Sequence, residues 1–224
     1  MIELDPDLDP RCLPLAWLFG RWEGAGVGER ADGGGSYRFG QELVVGHDGR
    51  PFLSYESSSW VLDDAGRVTE AGSRETGYLR PVEPAAVGVR VGTGPDDAPD
   101  TDPEGDPDVD PEGDPDADPA PEAHDTELLL AHADGLVELW VGRRDGARLE
   151  LATDAVVRVP GAPGRAAGHR LYGLVEGDLL WAWDAGVGSR LTSVMSARLK
   201  KVGPAPVALV PPGLADPAPA APEA

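Results

Sequence analysis

The sequence predicts an all-β protein, a ten-stranded antiparallel up-and-down β-barrel with a short helical plug before its first strand. Short segments of strand composition are separated by tight-turn pairs such as Asp134-Gly135 and Asp145-Gly146, which favour consecutive antiparallel hairpins. No long segment shows the apolar spacing of a helix, which disfavours an α/β fold. Closure of the ten strands into a barrel would remove the exposed edges of the sheet.

The predicted elements begin with Leu13–Phe19, a short apolar segment with Pro14 near its start and Gly20 as its stop. We expect one or two helical turns that plug one end of the barrel; an irregular leader packed on the wall is the alternative. The predicted strands are Trp22–Glu29, Ser36–Val45, Pro51–Val61, Gly72–Pro81, Thr126–Ala131, Leu136–Arg143, Arg148–Val157, Arg165–Glu176, Leu179–Ala185 and Leu191–Val202.

The first strand carries an unusual pattern, because Trp22, Gly24 and Gly26 fall on one face. A large ring followed on the same face by two glycines, which have no side chain, leaves space beside the ring. Glycine inside a strand often marks the close approach of a ligand or of another backbone. One hypothesis is a barrel whose interior holds a ligand. The other is a bent first strand with a core tryptophan and no ligand.

Residues 94–125 interrupt the strand pattern with fourteen acidic side chains and no Lys or Arg. They contain an eight-residue repeat, seen in 102–109 and again in 110–117, with almost nothing apolar to bury. We predict a disordered acidic insertion within a barrel domain spanning 11–202, followed by a disordered Pro/Ala-rich tail at 203–224. The carboxylate spacing does not match a helix–loop–helix calcium loop. Such a segment could recruit a basic partner, which would make the chain an interaction protein.

Overall composition narrows the class of partner and the compartment. The formal net charge of -21 disfavours nucleic acid and anionic membrane surfaces. Cys12 is the single cysteine, so no internal disulfide can form. The acidic N-terminus lacks a signal-peptide pattern, and no apolar run has the length of a membrane span. We therefore expect a cytoplasmic protein.

No catalytic or metal-binding motif is found in the sequence. The four histidines, His47, His124, His132 and His169, are not at metal-ligand spacing from one another or from Cys12. Each is interpreted as a surface or hydrogen-bonded structural residue. No phosphate-binding glycine loop and no nucleophile elbow is present. Motifs alone therefore predict no enzyme mechanism.

The motif Gly20-x-Trp22-x-Gly24-x-Gly26 resembles the G-x-W-x-G-x-G signature of the nitrobindin family. Further segments resemble the family in the same order along the chain, from about Leu13 to Val202 outside the acidic insertion. These are Phe39–Glu42, Gly46–Leu53, Glu75–Tyr78, Leu128–His132, Leu149–Asp154, His169–Gly173, Glu176–Leu179 and Ser196–Leu199.

This resemblance implies a barrel like that of the fatty-acid-binding proteins, which in the family holds ferric haem b. It also implies nitric oxide binding and the isomerisation of peroxynitrite to nitrate. In the family, one histidine of the last strand binds the iron, within a segment resembling Pro-His-Leu-Ser-Ala. Alignment on Ser196-Ala197 places Val194 at that position, and valine cannot coordinate iron. The charged, glycine-rich hairpin Glu29–Gly35 also departs from the family pattern.

The sequence therefore predicts a nitrobindin-like barrel that has lost haem ligation and binds a small apolar ligand in its cavity, with no cofactor and, on balance, no enzyme activity. The alternative is a haem protein with peroxynitrite isomerase activity, in which Met195 or an unassigned group is the iron ligand. Met195 would reach the iron only through a bulge in the last strand. The identity of any ligand and the oligomeric state are not given by the sequence.

A barrel-closing contact is expected between Arg198 in the last strand and Trp22 in the first. Barrel closure makes these strands neighbours, and related barrels with a Gly-x-Trp start often place a basic residue over the ring. The alternative is that Arg198 is a solvated charge at a strand end.

Overall fold

A computed structural model describes residues 6–30, 33–82, 125–164, 167–187 and 190–204. Ten antiparallel strands close into a barrel in which each strand pairs with its neighbours in sequence and the last pairs with the first. The strands are β1 Gly20–Glu29, β2 Ser36–Gly46, β3 Leu53–Leu62, β4 Val68–Pro81, β5 Thr126–His132, β6 Leu136–Asp145, β7 Arg148–Arg158, β8 Gly168–Val175, β9 Asp178–Val187 and β10 Arg190–Gly203. The predicted fold class is confirmed.

A 3-10 helix, Pro10–Leu18, precedes the first strand and begins three residues before the predicted Leu13. The side chain of Asp9 caps it by accepting a hydrogen bond from the backbone N–H of Arg11, at 2.9 Å. Pro14 inside the segment has no N–H to donate and would clash with the carbonyl one turn earlier, which opposes a regular α-helix.

The helix packs against one end of the barrel, as the plug prediction required. Its side chains Leu15 and Leu18 belong to the same buried cluster as the inward-facing strand residues. The carbonyl oxygen of Leu18 accepts a hydrogen bond from the indole Nε1 of Trp22, at 2.8 Å. Phe19 stacks on His47, which follows β2, with ring centroids 5.0 Å apart. We call this end of the barrel the helix end and the opposite end the open end.

The interior changes character from one end of the barrel to the other. Toward the helix end, the inward positions of the strands are apolar, and the resulting core includes Trp22, Leu43, Leu53, Leu79, Leu128, Leu149, Leu179 and Leu199. Farther along the same faces, buried positions hold Gln41, Ser57, Glu75, His132, Glu138 and Arg170. A functional site is therefore expected in the polar half of the interior.

The acidic insertion joins β4 to β5, and its roots lie close together. The backbone N–H of Val82 donates to the carbonyl oxygen of Asp125, at 2.9 Å. The Asp125 carboxylate accepts hydrogen bonds from Thr126 and from the backbone N–H of Arg144. Asp125 thus belongs to the ordered barrel, whereas the rest of the predicted disordered segment 94–125 lies outside the described residues.

The predicted tail 203–224 also lies largely outside the described residues, but Gly203 is still part of β10. The predicted strand starts lie within two residues of the observed ones except in β4, which begins at Val68 rather than Gly72, and in β8. The structure describes β8 from Gly168, and residues 165–166 of that predicted strand lie outside the described residues. Within the described part of the chain, no helix is long and apolar enough to cross a membrane.

Candidate functional site

A narrow polar pocket lies inside the barrel toward the open end, with a volume of about 60 Å³. We call it the inner pocket. The exposed Ser73 lies near its mouth, and Arg170, only 3% exposed, lies deep within it. Six strands contribute to its lining, which consists of Phe39, Gln41, Tyr55, Ser57, Ser59, Ser73, Glu75, Arg170, Trp181, Trp183 and Met195.

A bidentate ion pair crosses the interior beside this pocket. Nη1 and Nη2 of Arg170 donate to Oε2 and Oε1 of Glu75 at 2.9 and 2.8 Å. Burial by itself lowers the pKa of Arg170, but the charge of Glu75, its hydrogen bonds and the two nearby tyrosines together hold this pKa well above its usual value. The guanidinium also lies over the ring of Trp140, 4.8 Å from its centroid. Arg170 is therefore a fixed, charged group of the interior.

A second carboxylate and an imidazole extend the cluster. Oε2 of Glu138 lies 2.7 Å from Nε2 of His132 and 3.9 Å from Nη2 of Arg170. Nδ1 of the same histidine lies 3.6 Å from Oε1 of Glu75. Each of these side chains is at least nine-tenths buried as a residue. The charge of the guanidinium is thus shared between two carboxylates.

The hydroxyl and amide groups of the pocket form their own hydrogen bonds. Trp181 Nε1 donates to Oε1 of Gln41 at 2.7 Å, and Nε2 of Gln41 donates to Oγ of Ser57 at 2.9 Å. The hydroxyls of Tyr55 and Tyr172 lie 3.1 Å apart. Burial raises the pKa of Tyr55 well above its usual value, so this phenol keeps its proton.

The first-strand motif is used for close packing rather than for a cavity. A Cβ atom on Gly24 would clash with the carbonyl oxygen of Arg198 in β10. One on Gly26 would clash with the carbonyl oxygen of Ser196 and lie 2.8 Å from Cβ of Ala197. Gly20 has a φ of +133°, a conformation that favours glycine. The neighbouring strand therefore occupies the space beside the Trp22 ring.

The expected contact between Arg198 and Trp22 is wrong. The Trp22 side chain is buried on the inner face, whereas the Arg198 side chain is 54% exposed and forms ion pairs with Asp178 and Glu176. Another basic residue of β10, Lys201, holds its ammonium 5.4 Å from the centroid of the Trp22 ring. The Cα partner of Trp22 is Lys201 and that of Ala25 is Arg198, so Arg198 lies too far along the barrel.

The last strand is bulged where the resemblance places the lost haem ligand. Ser193 pairs with Asp184 and Met195 pairs with Trp183, which leaves Val194 as an extra residue. Met195 lines the inner pocket and packs against the core cluster. Val194 is half-buried and does not line the pocket. The structure therefore directs Met195 rather than Val194 into the pocket, and the assignment of Val194 to the family's histidine position stays a prediction.

A haem group would need an iron ligand, and haem proteins use histidine, cysteine thiolate, methionine or tyrosinate. The described histidines lie elsewhere: His47 stacks at the helix end, His132 bonds to Glu138, and His169 is exposed. Cys12 lies in the helix, where burial raises its pKa to about 11.

Two residues that line the pocket, Tyr55 and Met195, belong to these ligand types. Tyr55 keeps its proton and is therefore not a tyrosinate, and Met195 supplies a thioether sulfur with no histidine beside it in the described lining. Pockets for drug-sized ligands measure about 300–1,000 Å³, so the inner pocket is too small for a macrocycle. Within the described residues, no cluster of three or more His, Cys, Asp or Glu side chains is placed to hold a metal ion. The described residues of the inner pocket therefore do not fit a histidine-ligated haem.

A larger concavity, of about 730 Å³, opens on the outer wall across β8, β9, β10 and β1. We call it the outer groove. Its lining includes Val27, Leu171 and Val175, which are 53%, 37% and 47% exposed, and Arg198. An apolar cavity was predicted inside the barrel, but the apolar concavity found lies outside, because the inward faces of the strands are filled by side chains.

A closed ten-stranded antiparallel barrel with a helix across one end and a pocket toward the other defines a calycin-like barrel protein. The chain matches the THAP4-like, haem-binding β-barrel domain family over residues 11–201, and it belongs to that family.

Two relatives resemble it over most of their length. A protein of Kineococcus radiotolerans named ferric nitrobindin-like protein is 43% identical, over 90% of this chain and 98% of the relative. A protein of a Nocardioides species named peroxynitrite isomerase is 39% identical, over 88% and 96%. The crystal structure of Rv2717c from M. tuberculosis shares the fold, with a TM-score of 0.58 at 24% identity, over 87% of this chain and 98% of that one.

The buried charged cluster was missed by the sequence analysis, although strand alternation could have found it. Glu138 lies between Leu136 and Trp140 on the inward face of β6. Arg170 lies two residues before Tyr172 on the inward face of β8. Side chains of a strand alternate between its two faces, so counting in steps of two from the buried apolar residues would have placed both charged residues on the inward face. Only the structure shows that the charges meet.

Proposed function

We propose that this chain is a haem-free member of its family and acts as a ligand-binding barrel rather than as a peroxynitrite isomerase. The observation that carries the proposal is the inner pocket, which measures about 60 Å³ and is lined by an ion pair and hydroxyl groups. A porphyrin would have to displace these groups. Breaking a buried ion pair by removing one partner costs about 3–5 kcal/mol, which opposes that displacement.

The comparison with the family supports the same proposal. Val194 is expected at the position of the family's iron-binding histidine, and the bulge in β10 directs Met195, a residue without an imidazole, into the pocket. A methionine thioether is used beside a histidine in cytochromes c, and no histidine lines this pocket among the described residues. The relatives carry two different names, ferric nitrobindin-like protein and peroxynitrite isomerase.

A hemin titration followed by absorbance tests the proposal. The purified protein, mixed with hemin, is expected to show the broad spectrum of unligated hemin, whereas apomyoglobin treated in parallel shows a sharp Soret band. The variant Met195→His places an imidazole at the pocket and serves as the matched comparison. Wild-type protein that binds stoichiometric five-coordinate ferric haem would overturn the proposal and favour the isomerase activity.

A second candidate function is the binding of a small apolar ligand, and the outer groove favours it. Its volume of about 730 Å³ lies within the range of small-molecule sites, and its exposed valine and leucine side chains would be covered by a ligand. Exposed apolar residues are unfavourable in water, so covering them stabilises the complex.

Nile red fluorescence tests this second candidate. Leu171→Glu, inside the outer groove, is expected to weaken the increase in fluorescence at least fivefold. Val202→Glu is the matched control, since Val202 is 52% exposed and does not line the groove. Equal loss in the two variants would indicate non-specific dye binding. Recruitment of a basic partner by the acidic insertion stays a prediction, since that segment lies outside the described residues.

A further inference from the structure

Some polar groups of the inner pocket have a hydrogen-bonding proton without an acceptor, and these groups are therefore available as donors to a ligand. Ser57 Oγ accepts from Gln41, and the hydroxyl proton of Ser57 has no acceptor among the described residues. Nε of Arg170 is buried and also has none, because Nη1 and Nη2 make the bonds to Glu75. A buried donor without a partner is unfavourable, so each of these groups favours an acceptor that enters the pocket.

The two tyrosines add a third donor. Nη1 of Arg170 donates to the hydroxyl of Tyr172 at 3.5 Å, and either tyrosine can donate across the 3.1 Å between the two hydroxyls. In the arrangement proposed here, Tyr172 donates to Tyr55. The proton of Tyr55 then remains available, and Tyr55 lines the inner pocket.

The acceptors of the same pocket are already occupied. Both oxygens of Glu75 accept from Arg170, and Oε1 of Gln41 accepts from Trp181. Ser59 Oγ accepts from the backbone N–H of Ser73 and can donate to the carbonyl oxygen of that residue. A ligand in this pocket would therefore meet free donors and few free acceptors.

The charge around the pocket decides between an anionic and an uncharged ligand. The guanidinium of Arg170 is already balanced by Glu75, and the carboxylate of Glu138 lies only 3.9 Å from it. No net positive charge is left to attract an anion, and the Glu75 carboxylate in the lining repels one. An uncharged acceptor meets the same donors without that repulsion.

The size of the ligand follows from the volume. About 60 Å³ corresponds to roughly two water molecules at about 30 Å³ each. Ser73 is exposed to solvent, so the lining of the pocket reaches the surface at the open end. A group of two to about four non-hydrogen atoms fits this space, either as a free molecule or as the end of a larger one.

From these observations we propose that the inner pocket binds a compact, uncharged hydrogen-bond acceptor, such as a carbonyl, nitrile or sulfoxide group, through the Ser57 hydroxyl, the Tyr55 hydroxyl and Nε of Arg170. This inference rests on the proposed haem-free pocket, and its test is a separate measurement from the hemin titration.

The test is a titration of the ¹⁵N-labelled full chain followed by NMR at the Nε–H resonance of Arg170. The probes are dimethyl sulfoxide and acetonitrile as uncharged acceptors, formate as an anionic acceptor and methylammonium as a donor-only control. The two uncharged acceptors are expected to give saturable shifts with half-saturation at millimolar concentration. Formate is expected to bind at least tenfold more weakly, and methylammonium is expected to give no saturable shift.

Two variants assign the contacts. Ser57→Ala removes a free donor and is expected to weaken dimethyl sulfoxide binding about three- to tenfold, the usual effect of one neutral hydrogen bond. Ser58→Ala is the matched control, since Ser58 is the next residue along β3 and does not line the pocket, and this variant is expected to bind the probe like the wild type. The absence of any saturable shift, tighter binding of formate than of dimethyl sulfoxide, or equal loss in the two variants would overturn the proposal.

Discussion

Arg170 and Glu75 form two parallel hydrogen bonds across the interior of the barrel, joining β8 to β4, which do not pair in the sheet. The pair therefore connects opposite walls of a closed structure. Arg170 is 3% exposed and Glu75 is 9% exposed. Neither charge can be solvated fully if its partner is removed.

Arg170→Met is expected to destabilise the barrel by about 3–5 kcal/mol, because Glu75 and Glu138 would both remain buried without the guanidinium. The measurement is the free energy of unfolding in urea. The double variant Arg170→Met/Glu75→Met removes both partners and is expected to recover part of the loss. A single variant that loses less than about 1 kcal/mol would show that the pair is not buried in solution.

Gly26→Ala is expected to destabilise the protein by about 1–3 kcal/mol, because its Cβ would clash with the carbonyl oxygen of Ser196, a backbone atom of β10 that cannot rotate away. Gly173→Ala is the matched control within a strand, since its Cβ would meet nothing closer than 3.9 Å. Thermal unfolding of the two variants checks the prediction. Similar melting temperatures would contradict the close packing of β1 against β10.

Lys201→Met is expected to cost about 0.5–2 kcal/mol, because it removes the cation from the face of Trp22 while keeping an apolar stem. Arg198→Met is expected to cost less than Lys201→Met, since the ion pairs of Arg198 are exposed to solvent. Urea unfolding of both variants ranks the two residues. A larger loss for Arg198→Met would restore the contact that the sequence predicted.

Cys12 is expected to react slowly with a thiol reagent in the folded protein and at once in urea. Burial raises the pKa of its thiol from 9.0 to about 11, so the reactive thiolate is scarce at neutral pH. A folded-state pKa above the unfolded value means that the stability contributed by the thiol is complete below about pH 9 and is lost as the pH rises toward 11.

Unfolding of the wild type compared with Cys12→Ser between pH 8 and 11 measures this contribution. The difference between the two proteins is expected to shrink as the pH rises. Equally rapid labelling of folded and unfolded protein would show that the thiol is accessible.

Replacement of residues 84–123 by a short Gly-Ser linker is expected to leave the free energy of unfolding nearly unchanged. The roots of the segment are already held by the hydrogen bond between Val82 and Asp125, and loop length has only a weak effect on stability. Urea unfolding of the deletion variant is the measurement. A loss of several kcal/mol would indicate that the segment packs on the barrel.

The strand count and the closed topology could be predicted from the sequence because turn chemistry is local. Pairs such as Gly177-Asp178 specify a hairpin wherever they stand, and Gly177 has the expected positive φ of 87°. The plug was predictable for the same reason, although its start was not, since the cap by Asp9 lies before the apolar segment.

The contents of the barrel were harder to predict because they depend on register across many strands. A bulge of one residue exchanged the inward position between Val194 and Met195, and its presence cannot be read from composition. The same limit explains Arg198: a shift of three residues along β10 separates it from Lys201, which meets the Trp22 ring. Contacts between strands that are distant in the sequence could therefore not be predicted from the local residue pattern.

The pairing of β1 with β10 also has a consequence for the order of folding. This seam joins the first strand to the last, so it has the largest loop-closure entropy of any strand pair in the barrel. The hairpins between neighbouring strands can form first, and the seam closes only when the rest of the wall is in place. Substitutions of Gly24 or Gly26, which pack closely against β10, should therefore mainly increase the unfolding rate and leave the folding rate nearly unchanged.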